Sequence, residues 1–168
     1  MKRLAALLVT ALALSACGTT SDPSGAASSA PKSAVALTEW IKNAGFTEVL
    51  AGLAEAVTEV SDAMGAAGTD TKKMAQALRP NGATIGALAD KLASEPASTD
   101  AGYEKLRSDL VIAMRAYASA AASVELTPGA TQLAGVTDAF GSLTALSQAI
   151  TLLSAYLSAH GNDETTAK

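Results

Sequence analysis

Apolar residues recur at intervals of three and four along most of the chain from residue 38 to residue 160, the spacing that lays them along one side of an α-helix. The first such stretch, 38–67, puts Phe46, Val49, Leu50, Leu53, Val57, Val60 and Met64 on one face, with Glu48, Glu55, Glu59 and Asp62 nearly opposite. That is an amphipathic helix. Thr38 is placed to cap its start and Gly68 to stop it. Asn43-Ala44-Gly45 predicts a break after the first turns, with Thr47 capping a restart. A second helix is predicted over 70–95, capped by Asp70, with Met74, Leu78, Ile85, Leu88 and Leu92 on its apolar side. Pro80-Asn81-Gly82 falls in its middle and predicts a kink or a split there.

Glu95-Pro96 and a Ser/Thr patch mark a loop before the third helix, which starts at Thr99 or Asp100 and runs to about Glu125. Tyr103, Leu106, Leu110, Met114, Tyr117, Ala121 and Val124 keep its three-four spacing, and Thr127-Pro128-Gly129 ends it. The fourth, 130–160, carries Leu133, Val136, Phe140, Leu143, Ser147, Ile150, Leu153 and Leu157 in near-heptad register, with Gly161 as its stop. Four helices joined by short loops predict an all-α, antiparallel four-helix-type bundle over 34–161, followed by a disordered tail, 162–168. No repeat of fixed 20–50-residue period is evident.

Composition agrees with this pattern. Apolar residues make up 49% of the 168-residue chain but aromatics only 4%. The difference is largely alanine, the strongest helix former. Short side chains let helices approach closely, and they also leave less apolar area to bury in each contact.

The first sixteen residues follow a different logic. Lys2 and Arg3 precede the uncharged run LAALLVTALAL at 4–14, and Ser15 and Ala16 are small residues of the kind a signal peptidase accepts. The run is about half of the roughly 20 residues needed to span a bilayer. The tetrapeptide Leu14-Ser15-Ala16-Cys17 resembles the lipobox of bacterial lipoproteins, and Cys17 is the only cysteine in the chain. The alternative is an ordinary secretory signal with an incidental cysteine.

The resemblance implies that 1–16 is a signal peptide cut between Ala16 and Cys17. It also implies a diacylglyceryl group on the Cys17 thiol, anchoring the chain to the extracytoplasmic face of a bacterial membrane. One acyl chain binds a membrane marginally, at about 0.8 kcal/mol per buried CH₂, whereas two or three on one residue hold it firmly. In double-membrane bacteria an Asp after the cysteine tends to retain such proteins at the inner membrane; here that position is Gly18. The segment Gly18 to Lys32 is rich in Ser, Gly, Pro and Ala, so 17–33 reads as lipidated cysteine plus flexible linker. A linker of this kind spans roughly 20 Å.

The formal net charge is −4, and loss of Lys2 and Arg3 leaves ten basic residues against sixteen acidic ones, near −6. Without a Lys/Arg cluster to offset it, such a surface repels nucleic acid, so no nucleic-acid partner is expected. A single cysteine permits neither an intrachain disulfide nor a thiolate metal site. His160 is the only histidine, which excludes paired Glu-x-x-His ligands and any two-histidine site. Its place at a helix C-terminus suits an imidazolium facing the helix dipole.

Met64, Met74 and Met114 are scattered singly and read as core fillers. The serines have no identifiable base, and Gly65-Ala66-Ala67-Gly68 lacks the lysine of a phosphate loop. The stripe Glu48, Glu55, Glu59, Asp62 reads as a solvated face. These features predict no enzyme activity, no catalytic residues, no metal and no cofactor.

Three ambiguities remain at the level of sequence. The stretch 139–159 is free of charge and long enough to span a bilayer, yet holds Ser142, Thr144, Ser147, Gln148, Thr151, Ser154 and Ser158. Gln148 at mid-depth is costly, so a buried central helix of a water-soluble bundle is the main expectation, with a second membrane contact as the alternative. The third helix carries Ile112, Ala116, Ser119 and Ser123 opposite its core stripe. Either neighbouring helices sandwich it, or the helix over 100–125 docks a protein partner or a second copy. Trp40 reads as a cap over one end of the bundle or as the lining of a ligand mouth. Functionally, the chain reads as a lipid-anchored interaction or structural module of the cell envelope. The alternative is a carrier for a small apolar or lipid ligand, with a cavity near Trp40 or Pro80.

Overall fold

The computed structural model describes residues 34–160, and the chain there is all-α. The expectations for 1–16, for Cys17 and the linker 17–33, and for Gly161 and the tail 162–168 lie outside the described residues. Five helices follow one another: α1, Leu37–Ile41; α2, Ala44–Ala67; α3, Thr71–Ser94; α4, Ala101–Ser123; and α5, Ala130–His160. Among the described residues no strand forms; Val35 and Ser98 make one isolated bridge.

Each helix from α2 to α4 begins where a side chain satisfies its free amides. Asn43 accepts from the Gly45 N–H, Asp70 from those of Lys72 and Lys73, and Asp100 from that of Tyr103. The break after the first turns is therefore real, but Asn43 caps the restart where Thr47 was expected. The one-turn α1 begins at Leu37, with Ala36 and not Thr38 at its N-cap and no side-chain cap. Gly68, at φ 59°, ends α2 in a backbone region that costs glycine little.

From α2 to α5 successive helices run antiparallel. α2 packs on α3, α3 on α4 and α4 on α5, with a lesser contact between α3 and α5. Close approach relies on missing side chains. A Cβ on Gly82 would lie 2.5 Å from the Ala121 Cβ, and one on Gly135 would lie 3.2 Å from the Val124 Cα. The core runs along the middle of the stack through Val49, Leu53 and Val60 of α2, Leu78, Ile85 and Leu92 of α3, and Leu110, Met114 and Tyr117 of α4.

Two expectations are corrected. Of the kink or split expected at Pro80, the split does not occur: α3 runs unbroken from Thr71 to Ser94 through the exposed Pro80. A proline removes one amide and so one backbone hydrogen bond. The residues after it tie the helix to its neighbours: the buried Asn81 donates to the Ala56 carbonyl at 2.7 Å and accepts from the Tyr117 hydroxyl at 2.7 Å. Gly82 lets α4 close in on the same turn.

The second failure is the buried central helix. α5 lies at the side of the stack, and only 11% of its most apolar stretch is buried. Gln132, Val136, Ala139, Leu146 and Leu153 face inward. Leu133 and Phe140, expected in the apolar stripe, are instead 56% and 38% exposed, and Ser147 is exposed with them. The central positions belong to α3 and α4.

Candidate functional site

One end of the stack is the most tightly organised region. Trp40 and Tyr103 are fully buried, and Phe46 nearly so; ring centroids lie 4.3 Å apart for Trp40–Phe46 and 4.8 Å for Trp40–Tyr103. The Arg107 guanidinium sits 5.9 Å from the Trp40 ring centroid, within cation–π range. Each of its three nitrogens donates into the fold: Nη2 and Nε to the Glu104 carboxylate at 2.8 and 3.2 Å, and Nη1 to the Leu92 carbonyl at 2.8 Å. Glu104 also accepts from the Ser98 N–H at 2.7 Å, and the Trp40 indole donates to the Pro96 carbonyl. Val35 ties the entering chain to the same loop, accepting from the Thr99 amide at 2.8 Å and donating to the Ala97 carbonyl at 2.9 Å. Trp40 is therefore buried as a cap over this end of the bundle.

The charged and phenolic groups here are structural in the same sense. Asp100 accepts from the Tyr103 N–H at 2.8 Å and from the Tyr156 hydroxyl at 2.7 Å. Those two donors, the backbone amide first, hold its carboxyl below the usual carboxylate range. The Asp100 carboxylate in turn raises the Tyr156 phenol. Burial pushes the Tyr103 phenol far above its ordinary value and that of Tyr117 up to about 12. The Tyr103 hydroxyl has no hydrogen-bond partner among the described residues. At the other end of α5, the Thr71 hydroxyl donates to Gln132 Oε1 at 2.8 Å, and the buried Gln132 amide nitrogen has no partner among the described residues.

The structure does not gather the remaining candidates. His160 is exposed and stacks on Tyr156 with centroids 4.2 Å apart. Glu48 pairs with Lys91 across α2 and α3, and Glu55, Glu59 and Asp62 are exposed. Among the described residues no group of three or more histidine, cysteine or carboxylate side chains could hold a metal ion. A cleft of about 220 Å³ opens between α2 and α3 at Pro80, lined by Glu59, Val60, Ala63, Ala77, Asn81 and Thr84. It is smaller than the roughly 300–1,000 Å³ of pockets that enclose a drug-sized ligand.

The outer surface of α4 and α5 is the unusual feature. On α4, Ile112 is 63% exposed, and Ala116, Ser119 and Ser123 are exposed along the same flank. α5 adds Leu133, Phe140 and Leu152, the last 60% exposed, and no charged residue between 139 and 159. By length and composition α5 could cross a bilayer. The sequence pattern exposed the α4 flank but not that of α5, because an apolar stripe and an apolar whole helix give the same three-four spacing. Against family models, curated proteins and solved structures, the chain has no match.

Proposed function

We propose that this is a lipid-anchored lipoprotein of the bacterial cell envelope whose helical bundle serves as a non-enzymatic interaction module. The observation that carries the anchor is the tetrapeptide Leu14-Ser15-Ala16-Cys17 behind a basic start and a short apolar run, with the chain's only cysteine at the modified position. Support for the interaction role comes from the α4 flank of Ile112, Ala116, Ser119 and Ser123, exposed beside Arg115, which offers a docking surface for a protein partner or a second copy. An isolated exposed leucine or isoleucine is ordinary, whereas contiguous exposed apolar surface marks a contact site. The Pro80 cleft is too small to favour the carrier alternative.

Metabolic labelling of the full chain with radioactive palmitate in a bacterial host tests the anchor. Label on the wild-type protein and none on a Cys17→Ala variant is the expected result; equal labelling of both defeats it. A photo-cross-linker placed at residue 112 tests the docking surface, with one at residue 55 as reference. A discrete adduct at 112 alone supports the module, and identical patterns at both positions oppose it.

A further inference from the structure

We infer that the exposed face of α5 rests on the bilayer to which Cys17 ties the protein, seating Leu133, Phe140 and Leu152 at the boundary between headgroups and acyl chains. The inference rests on the lipid-anchor reading and adds an orientation to it. A helix that is apolar all round is ordinarily covered all round, by a protein core or by lipid. From 139 to 159 α5 is uncharged on both sides and carries Phe140 and Leu152 outward, yet the bundle covers only the side carrying Val136, Ala139, Leu146 and Leu153.

Five of the exposed hydroxyls of this helix are already satisfied within it. Thr137, Thr144, Ser147, Thr151 and Ser158 each donate to the carbonyl four residues earlier, at 2.8–3.0 Å. Moving them out of water therefore strips no donor of its partner. Gln148 is exposed one turn before Leu152 on the same face, so the helix lies at headgroup depth, where an amide keeps its water, and does not cross. Crossing would also pull the inward residues of α5 out of the core.

The tether delivers the right face. The described chain begins beside the loop Ala97–Thr99, through the two hydrogen bonds of Val35. Asp100, next in that loop, is bonded to Tyr156 near the end of α5. The chain thus leaves the bundle at the end where the charge-free half of α5 finishes. Ala34 lies 17 positions after Cys17, a reach of roughly 20 Å, while 139–159 is about 30 Å long. A bundle lying on α5 is within that reach. Tethering makes the contact intramolecular, so a weak affinity suffices.

Charge favours the same orientation. α2 carries four carboxylates, Glu48, Glu55, Glu59 and Asp62, and no basic residue, and its packing neighbour is α3 while that of α5 is chiefly α4. An anionic bilayer repels the first and not the second. A second copy on this face is the competing occupant.

Lipidation consumes the thiol of Cys17, so a Leu152→Cys variant of the full chain offers one free thiol for a nitroxide label, and Glu55→Cys offers a reference on α2. Both sites are exposed, and helix content by circular dichroism checks that the fold is kept. The lipidated proteins are placed in vesicles of phosphatidylglycerol and phosphatidylethanolamine and probed with molecular oxygen and a water-soluble nickel chelate. At residue 152 we expect nickel access several-fold lower than at residue 55, with oxygen access raised. Equal nickel access at the two sites, in protein that is lipidated and sediments with vesicles, overturns the orientation and leaves the anchor standing. A disulfide-linked dimer through residue 152 overturns it in favour of a second copy. A free thiol at Cys17 removes the anchor and this inference with it.

Discussion

Replacing Tyr103 with phenylalanine should stabilise the protein. The ring is fully buried against Trp40 and Phe46, and its hydroxyl has no partner among the described residues. A buried polar group without a hydrogen bond costs about 1–3 kcal/mol of desolvation. Phenylalanine keeps the ring volume and the edge-on contacts and removes that cost, so a gain of about 1–2 kcal/mol is expected.

The matched control is Tyr117→Phe. There the hydroxyl donates to Asn81 Oδ1 at 2.7 Å, and its loss leaves a buried acceptor unpaired, at a cost of about 1–3 kcal/mol. Urea denaturation followed by Trp40 fluorescence reads both, since Trp40 is the only tryptophan and lies 4.8 Å from the ring of Tyr103. With an m-value near about 1.5 kcal/mol/M, Tyr103→Phe should raise the midpoint by about 1 M and leave the slope unchanged. A midpoint lowered by Tyr103→Phe would show that the hydroxyl is hydrogen-bonded, to a trapped water for instance, and would refute the reasoning.

Two further outcomes follow from the same packing. Gly82→Ala should destabilise by about 2–3 kcal/mol, because its methyl group meets the Ala121 Cβ at 2.5 Å. Gly141→Ala, with open space at that position, should stabilise by about 0.5–1 kcal/mol through helix propensity alone; thermal melts of the pair check both signs. Alkali should unfold the protein. The Tyr117 phenol ionises near 10 when unfolded and at about 12 when folded, so its contribution is fully present below pH 10. It falls as pH rises from 10 to 12, at up to about 1.4 kcal/mol per pH unit. Stability curves at pH 9, 10.5 and 11.5 should show that decline flattened in Tyr117→Phe, and equal slopes would count against it.

The fold was legible where a polar residue had a single job to do. Asp70, Asp100 and Gly68 act at helix ends as their chemistry dictates, and the stripe of the third predicted helix is the buried face of α4 nearly residue for residue. The split expected at Pro80 does not occur, because the signal for a break is local while its outcome is tertiary. One lost backbone bond is outweighed when Asn81 links three helices and Gly82 brings two backbones together. The buried Gln132 gave no signal at all, since nothing in the sequence announces that Thr71 will face it across 61 positions.

The position of α5 was illegible for a different reason, and that reason bears on function. Periodicity locates a helix's covered side only when the other side is charged, as in α2. In α5 alanine, serine and threonine fill both sides from 139 to 159, and the hydroxyls turn back onto their own backbone. Such a helix has two surfaces of similar polarity, and a bundle of this size supplies a cover for one. The ambiguity of the pattern is thus a physical property of the helix: it can bury its inner side against α4 while its outer side meets a second apolar phase without being rebuilt.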